Sequence, residues 1–134
     1  MPAVVPPVIG PDDEYFWEGA RAGKLLLQRC GGCGALRHPP VPMCPECGSL
    51  EWEPQEAAGR GTVFSWIVSR HPNKPDDEPR IVACVELEEG IGMVTNLQDV
   101  EPAAVENEMA VEVCFTEFDG DVVLPQFRPV RSGR

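Results

Sequence analysis

The sequence predicts a mainly β chain with one short N-terminal helix, a four-thiolate metal ribbon and a small five-stranded barrel. Three observations carry that expectation. Two Cys-x-x-Cys-Gly knuckles, Cys30-Gly-Gly-Cys33-Gly34 and Cys44-Pro-Glu-Cys47-Gly48, are separated by ten residues. From Gly61 onward, short stretches of β-branched and aromatic residues alternate with polar ones and are divided by turn residues. Ahead of the knuckles, three consecutive aromatics, Tyr15-Phe16-Trp17, follow two aspartates suited to start a helix.

Each element follows in order. Residues 1–11 carry four prolines without periodicity, so they read as a proline-rich arm or linker. Residues 12–58 form the helix and the ribbon. Asp12 or Asp13 caps a helix running through Tyr15, Phe16, Trp17 and Ala20, and Gly23 stops it. Lys24–Arg29 is a strand leading into the first knuckle, and the chain leaves the second through Trp52 and Pro54. Residues 59–130 form the barrel. Thr62–Arg70 is its first strand, with Phe64, Trp66 and Val68 expected on one face. Arg80–Glu88 alternates Ile81, Ala83, Val85 and Leu87 against Val82 and Cys84. Glu89-Gly90 turns the chain into Ile91–Leu97, and Pro102–Glu108 is a loop or one helical turn. Met109–Phe118 and Val122–Phe127 flank a hairpin signal at Asp119-Gly120. Five short strands with a helical piece between the third and fourth suit an OB-fold. Residues 131–134 are a tail.

The net charge of −11 makes the surface acidic, and the eleven basic residues form no patch. Such a surface repels phosphate backbones and anionic lipid. No apolar run approaches the ~20 residues needed to cross a bilayer. Met1–Pro11 lacks the basic and apolar regions of a secretory signal. Cysteines in close pairs point to metal and so to a reducing compartment. The expected location is cytoplasmic, with neither membrane nor nucleic acid as partner.

Two residues between the cysteines of a pair let both sulfurs reach one ion at about 2.3 Å. The glycine after each second cysteine lets backbone N–H groups turn toward sulfur and offset the charge of four thiolates. Cys30, Cys33, Cys44 and Cys47 are therefore the expected ligands of one structural Zn²⁺, although the same knuckles suit iron. Four protein ligands leave no open position for catalysis, and the metal replaces a core too small to hold the ribbon. His38, between the knuckles, is expected at the surface or beside the ligands rather than on the ion. Cys84 and Cys114 fall within strands and read as buried free thiols. His71, Asp76, Asp77 and Glu78 read as a solvated loop, so no catalytic residue is assigned.

Further residues add to the pattern: Phe16-Trp17-Glu18-Gly19, Gly23-Lys24-Leu25-Leu26-Leu27-Gln28-Arg29-Cys30, Pro39-Pro40 and Trp52. Gly59-Arg60-Gly61-Thr62-Val63-Phe64-Ser65, Val85-Glu86-Leu87 with Gly90, and Phe127-Arg128-Pro129 complete it. In this order they resemble the family in which a rubredoxin-like zinc ribbon precedes an acyl-CoA-associated OB-fold. The resemblance spans residues 12–130. One departure stands out. The family's usual Gly-Met at the start of the fourth barrel strand is Glu108-Met109 here, so a different turn is expected and no ligand contact is transferred to it.

The resemblance implies an accessory role. Such proteins dock on thiolase-superfamily enzymes: thiolases, hydroxymethylglutaryl-CoA synthases and the lipid-transfer-protein-like aldolases of steroid side-chain breakdown. The barrel helps to hold the coenzyme A part of the thioester, and the catalytic groups belong to the partner. Leu36-Arg37-His38-Pro39-Pro40 looks most like the steroid aldolase companions, often fused behind a hot-dog hydratase, for which the proline-rich start would be a linker. The expected function is to support retro-aldol cleavage of a steroid side-chain CoA thioester. A companion of a thiolase or of a hydroxymethylglutaryl-CoA synthase is the alternative within this class. The alternative of another class is a single-stranded nucleic-acid binder with Phe64 and Trp66 as stacking platforms, against which the acidic charge argues. Tyr15, Phe16, Trp17, Phe64 and Trp66 are the expected partner interface, because a chain this small has little core in which to bury them.

Overall fold

The computed structural model describes residues 8–70, 73, 78–118 and 122–130. Met1–Pro7 of the arm, His71, Asp76, Asp77, the Asp119-Gly120 turn and the tail lie outside the described residues.

Helix α1 spans Glu14–Arg21 and buries Phe16, Gly19 and Ala20, the i, i+3, i+4 set of one helical face. Asp13 occupies the N-cap position but makes no side-chain cap. Its carboxylate is committed elsewhere: Oδ1 accepts the Gly10 N–H at 2.7 Å and Oδ2 accepts the Trp17 indole N–H at 3.4 Å. The expected cap thus becomes a tie between the entering chain and Trp17. Gly23 ends the helix as expected, with its N–H on the Ala20 carbonyl.

The ribbon sheet contains β1 (Leu26–Cys30), β2 (Leu36–Arg37) and β3 (Trp52–Glu56) in the order β2-β1-β3, all antiparallel. The first strand lies slightly later than Lys24–Arg29, because Leu25 uses its carbonyl on Ala57 N–H and Cys30 pairs with Trp52. Two buried polar residues hold the proline-rich loop between the knuckles. Gln28 Oε1 accepts the Val41 N–H at 3.0 Å, and Arg37 Nη2 donates to the Val41 carbonyl at 3.1 Å. Three buried donors at this clamp, Gln28 Nε2 and Arg37 Nε and Nη1, have no partner among the described residues.

The barrel comprises β4 (Arg60–Ser69), β5 (Arg80–Leu87), β6 (Gly92–Leu97), β7 (Ala110–Phe118) and β8 (Val122–Pro129), with a 3-10 turn at Pro102–Ala104. It closes in the order β4-β5-β6-β8-β7, with β7 returning to β4 and β6 parallel to β8. Closure removes free strand edges. The alternation read in β5 is the observed one: Ile81, Ala83, Val85 and Leu87 are buried. They join Val63, Val111 and Phe127 and, from the ribbon side, Phe16, Leu25 and Leu27 in one core. Helix, ribbon and barrel thus share a single apolar interior.

One expectation about the barrel needs correction. Val63 pairs with Val85 but Ser65 with Cys84, so Phe64 is the extra residue of a β-bulge. The bulge inverts the alternation beyond it: Trp66 and Val68 pair with the inward Ala83 and Ile81, while Phe64, next to the inward Val63, faces outward and is 68 % exposed. Phe64 and Trp66 therefore do not share a face. Opposite the bulge, the Glu108 N–H meets the Val63 carbonyl at 2.7 Å. Glu108 lies at φ 63°, in the left-handed region that favours glycine.

Candidate metal centre and adjoining groove

Both knuckles are built alike. Gly34 N–H donates to the Cys30 carbonyl at 3.0 Å and Gly48 N–H to the Cys44 carbonyl at 2.9 Å, and each glycine has φ 78°. A side chain at either position would be strained, which explains a glycine after each second cysteine. The turns aim amides at sulfur: Gly32 and Cys33 N–H at Cys30 Sγ (3.2 and 3.4 Å), Glu46 N–H at Cys44 Sγ (3.4 Å).

The four thiol sulfurs lie within 4.8 Å of one another. Across the two knuckles, Cys30 Sγ stands 3.5 Å from Cys47 Sγ, and Cys33 Sγ 3.7 Å from Cys44 Sγ. A tetrahedron with metal–sulfur bonds of about 2.3 Å has edges of about 3.8 Å, so the cluster has the dimensions of a four-thiolate site. Cys30 and Cys44 are buried, whereas Cys33 and Cys47 face solvent. The Cys33 amide, with Gly32 N–H and the neighbouring sulfurs, brings the Cys30 thiol down to about 6 against the cost of burial. Cys33 moves the other way, to about 11: the Ala35 amide lowers it, but Cys44, burial and the remaining sulfurs outweigh that donor. Four adjacent thiols cannot all ionise unaided, and a divalent cation is the group that would permit it.

His38 stands apart from this cluster. Its ring lies 5.2 Å from that of Phe16, and burial lowers its pKa. With its Nδ1 unpartnered among the described residues, it lines a groove of about 370 Å³ where the ribbon meets the barrel. Phe16, Trp17, Pro39 and Pro40 form one wall, and Met93, Val94, Leu124 and Pro125 form much of the other. No spacing rule in the sequence marks this groove, because its walls come from four separate segments.

The five residues expected at an interface divide. Phe16 is buried in the core, and Tyr15, Trp17 and Trp66 are half-buried against it. Tyr15 also packs on Trp52, with ring centroids 4.6 Å apart, and burial raises its hydroxyl to about 12. Trp17 opens onto the groove, and Phe64 projects into solvent. Ile67 and Val94, absent from the expected set, are 64 % and 71 % exposed. Cys84 and Cys114 are half-buried rather than fully buried. Among the described residues no helix is long and apolar enough to cross a membrane.

Comparison with known proteins agrees with this architecture. Residues 17–53 match the rubredoxin-like zinc ribbon domain of ChsH2, and residues 54–116 match its C-terminal OB-fold domain. A probable enoyl-CoA hydratase alpha subunit of Thermomonospora curvata is 47 % identical over 92 % of this chain and 39 % of the relative. The 3-oxo-4,17-pregnadiene-20-carboxyl-CoA hydratase alpha subunit of Mycobacterium tuberculosis is 38 % identical over 87 % of this chain and 37 % of the relative. The chain spans about two fifths of the length of these two proteins. A DUF35 domain-containing scaffold protein of Pyrococcus furiosus is 36 % identical over 86 % of this chain and 90 % of the relative. Among solved structures, the Ltp2-ChsH2(DUF35) aldolase contains a chain with 47 % identity and a TM-score of 0.85, covering 92 % of this chain and 98 % of that one.

Proposed function

Because the chain belongs to the DUF35 family of ChsH2-type zinc-ribbon and OB-fold proteins, we propose that it is an accessory subunit of a thiolase-superfamily acyl-CoA enzyme. The observation that carries this reading is the 47 % identity to the DUF35 chain of an aldolase complex, over 98 % of that chain. The reaction supported is retro-aldol cleavage of a steroid side-chain CoA thioester in the cytoplasm, with the reacting groups on the larger subunit. A thiolase or a hydroxymethylglutaryl-CoA synthase is the alternative partner. The likeness to two hydratase alpha subunits favours a hot-dog hydratase as neighbour or fusion.

Within this reading, Cys30, Cys33, Cys44 and Cys47 hold one structural Zn²⁺, which ties β1 to the loop before β3. The ion would offset two of the four thiolate charges, and the amides aimed at Cys30 and Cys44 ease the remainder. With four protein ligands it offers no position to substrate. The protein's own residues do the rest: Gln28 and Arg37 clamp Val41, and that clamp sets His38, Pro39 and Pro40 along the groove. Trp17 and Phe64 are the members of the expected interface that remain open to a partner.

Co-expression with a thiolase-superfamily partner of the aldolase type tests the reading. The expected result is co-elution in size-exclusion chromatography and a fall in CoA-thioester cleavage when this subunit is withheld. Separate elution with full partner activity would end it.

A further inference from the structure

We infer that the outward face of β4, β5 and β6, continued by the adjoining groove, is the surface on which this chain docks to its larger enzyme partner. The inference rests on the accessory-subunit reading and assigns it a place on the molecule.

Cross-strand register sets Ser65, Cys84 and Val94 in one row and Ile67, Val82 and Asn96 in the next. The bulge adds Phe64 beside them. None of these side chains is a carboxylate, an amine or a guanidinium, on a chain of net charge −11. Along β5 the first charged residues met are Arg80 at one end and Glu86 at the other. An apolar centre inside a charged rim is the ordinary anatomy of a protein interface.

Single exposed apolar residues are common and need no explanation. Here Phe64, Ile67 and Val94, at 68 %, 64 % and 71 % exposure, stand on one face of three hydrogen-bonded strands. Val94 is also a wall of the groove, so the apolar surface runs on to Trp17, Pro39 and Pro40. A projecting aromatic beside a concave apolar site gives knob and socket for a complementary face.

Charge selects the occupant. A second copy would bring two bodies of −11 together, and nucleic acid would meet the same repulsion. An uncharged face of a different and larger protein meets neither cost. The bulge has a role here: it leaves Phe64 and Ser65 side by side on the outward face and, by reversing the alternation beyond them, brings Ile67 onto that face as well.

The test uses the full chain with its co-expressed partner, measured by surface plasmon resonance. Ile67→Glu and Val94→Glu, each at an exposed site, are expected to weaken binding by about 30-fold or more. Phe64→Ser serves as a milder variant, and metal content and circular dichroism confirm that each variant folds. Glu53→Lys, on the exposed part of β3, should bind as the wild type. Raising the salt should change the wild-type affinity by no more than about threefold, because the contact is apolar. If the wild type binds and all three face variants bind equally well, this surface is wrong and the accessory reading stands. If the wild type binds no thiolase-like partner, the accessory reading fails and takes the surface with it. A homodimer of the isolated chain that Ile67→Glu dissociates would assign the face to a second copy and overturn the inference.

Discussion

Glu108→Gly is expected to stabilise the protein, although it removes a side chain. Glu108 lies at φ 63° in the turn before β7, where its N–H holds the Val63 carbonyl at 2.7 Å. A left-handed conformation costs an L-residue about 1–2 kcal/mol. Glycine removes that cost but gains unfolded-state entropy that returns about 0.5–1 kcal/mol. The side chain is exposed, so little packing is lost. The net expectation is about 0.5–1 kcal/mol of stabilisation, or a rise of about 2–4 °C in the thermal midpoint for a domain of this size. Thermal unfolding of the metal-loaded chain by circular dichroism reads this directly. Glu106→Gly is the control: Glu106 is exposed without positive φ, so glycine there should lower stability by about 0.5–1 kcal/mol. An unchanged or lower midpoint for Glu108→Gly would refute the claim that the backbone is strained at this turn.

Gly61→Ala should destabilise by about 2–3 kcal/mol, because a Cβ there would press on the Glu86 carbonyl oxygen and lie 2.8 Å from Val85 Cγ1 in the closed barrel; urea unfolding measures it. Cys44→Ser should abolish zinc binding and raise amide exchange across β1–β3, whereas His38→Ala should keep its zinc. Metal analysis showing the reverse would remove the ligand assignment. Burial depresses the His38 pKa, so the unfolded chain takes up a proton near pH 6.5 that the folded chain refuses. Stability is therefore complete above that pH and falls as the pH drops toward the depressed value, and His38→Asn should flatten this part of the profile relative to wild type.

The metal cluster was legible in the chain because ligand spacing is local: two residues between cysteines and a following glycine decide the shape of each knuckle. The alternation of β5 was legible for a similar reason, since a strand packed on one side repeats every two residues. Local rules stop where pairing between distant segments takes over. One inserted residue at Phe64, visible only once β4 is laid against β5, turned the expected aromatic face inside out. Asp13 looked like a helix cap but is occupied by Gly10 and Trp17. The left-handed Glu108 departs from the glycine its position favours, and composition alone would not place it opposite a bulge. The groove joins Trp17, His38, Val94 and Leu124, residues up to about a hundred positions apart. Such surfaces are created when a barrel closes on a ribbon, because burying one common core decides which apolar side chains are left outside.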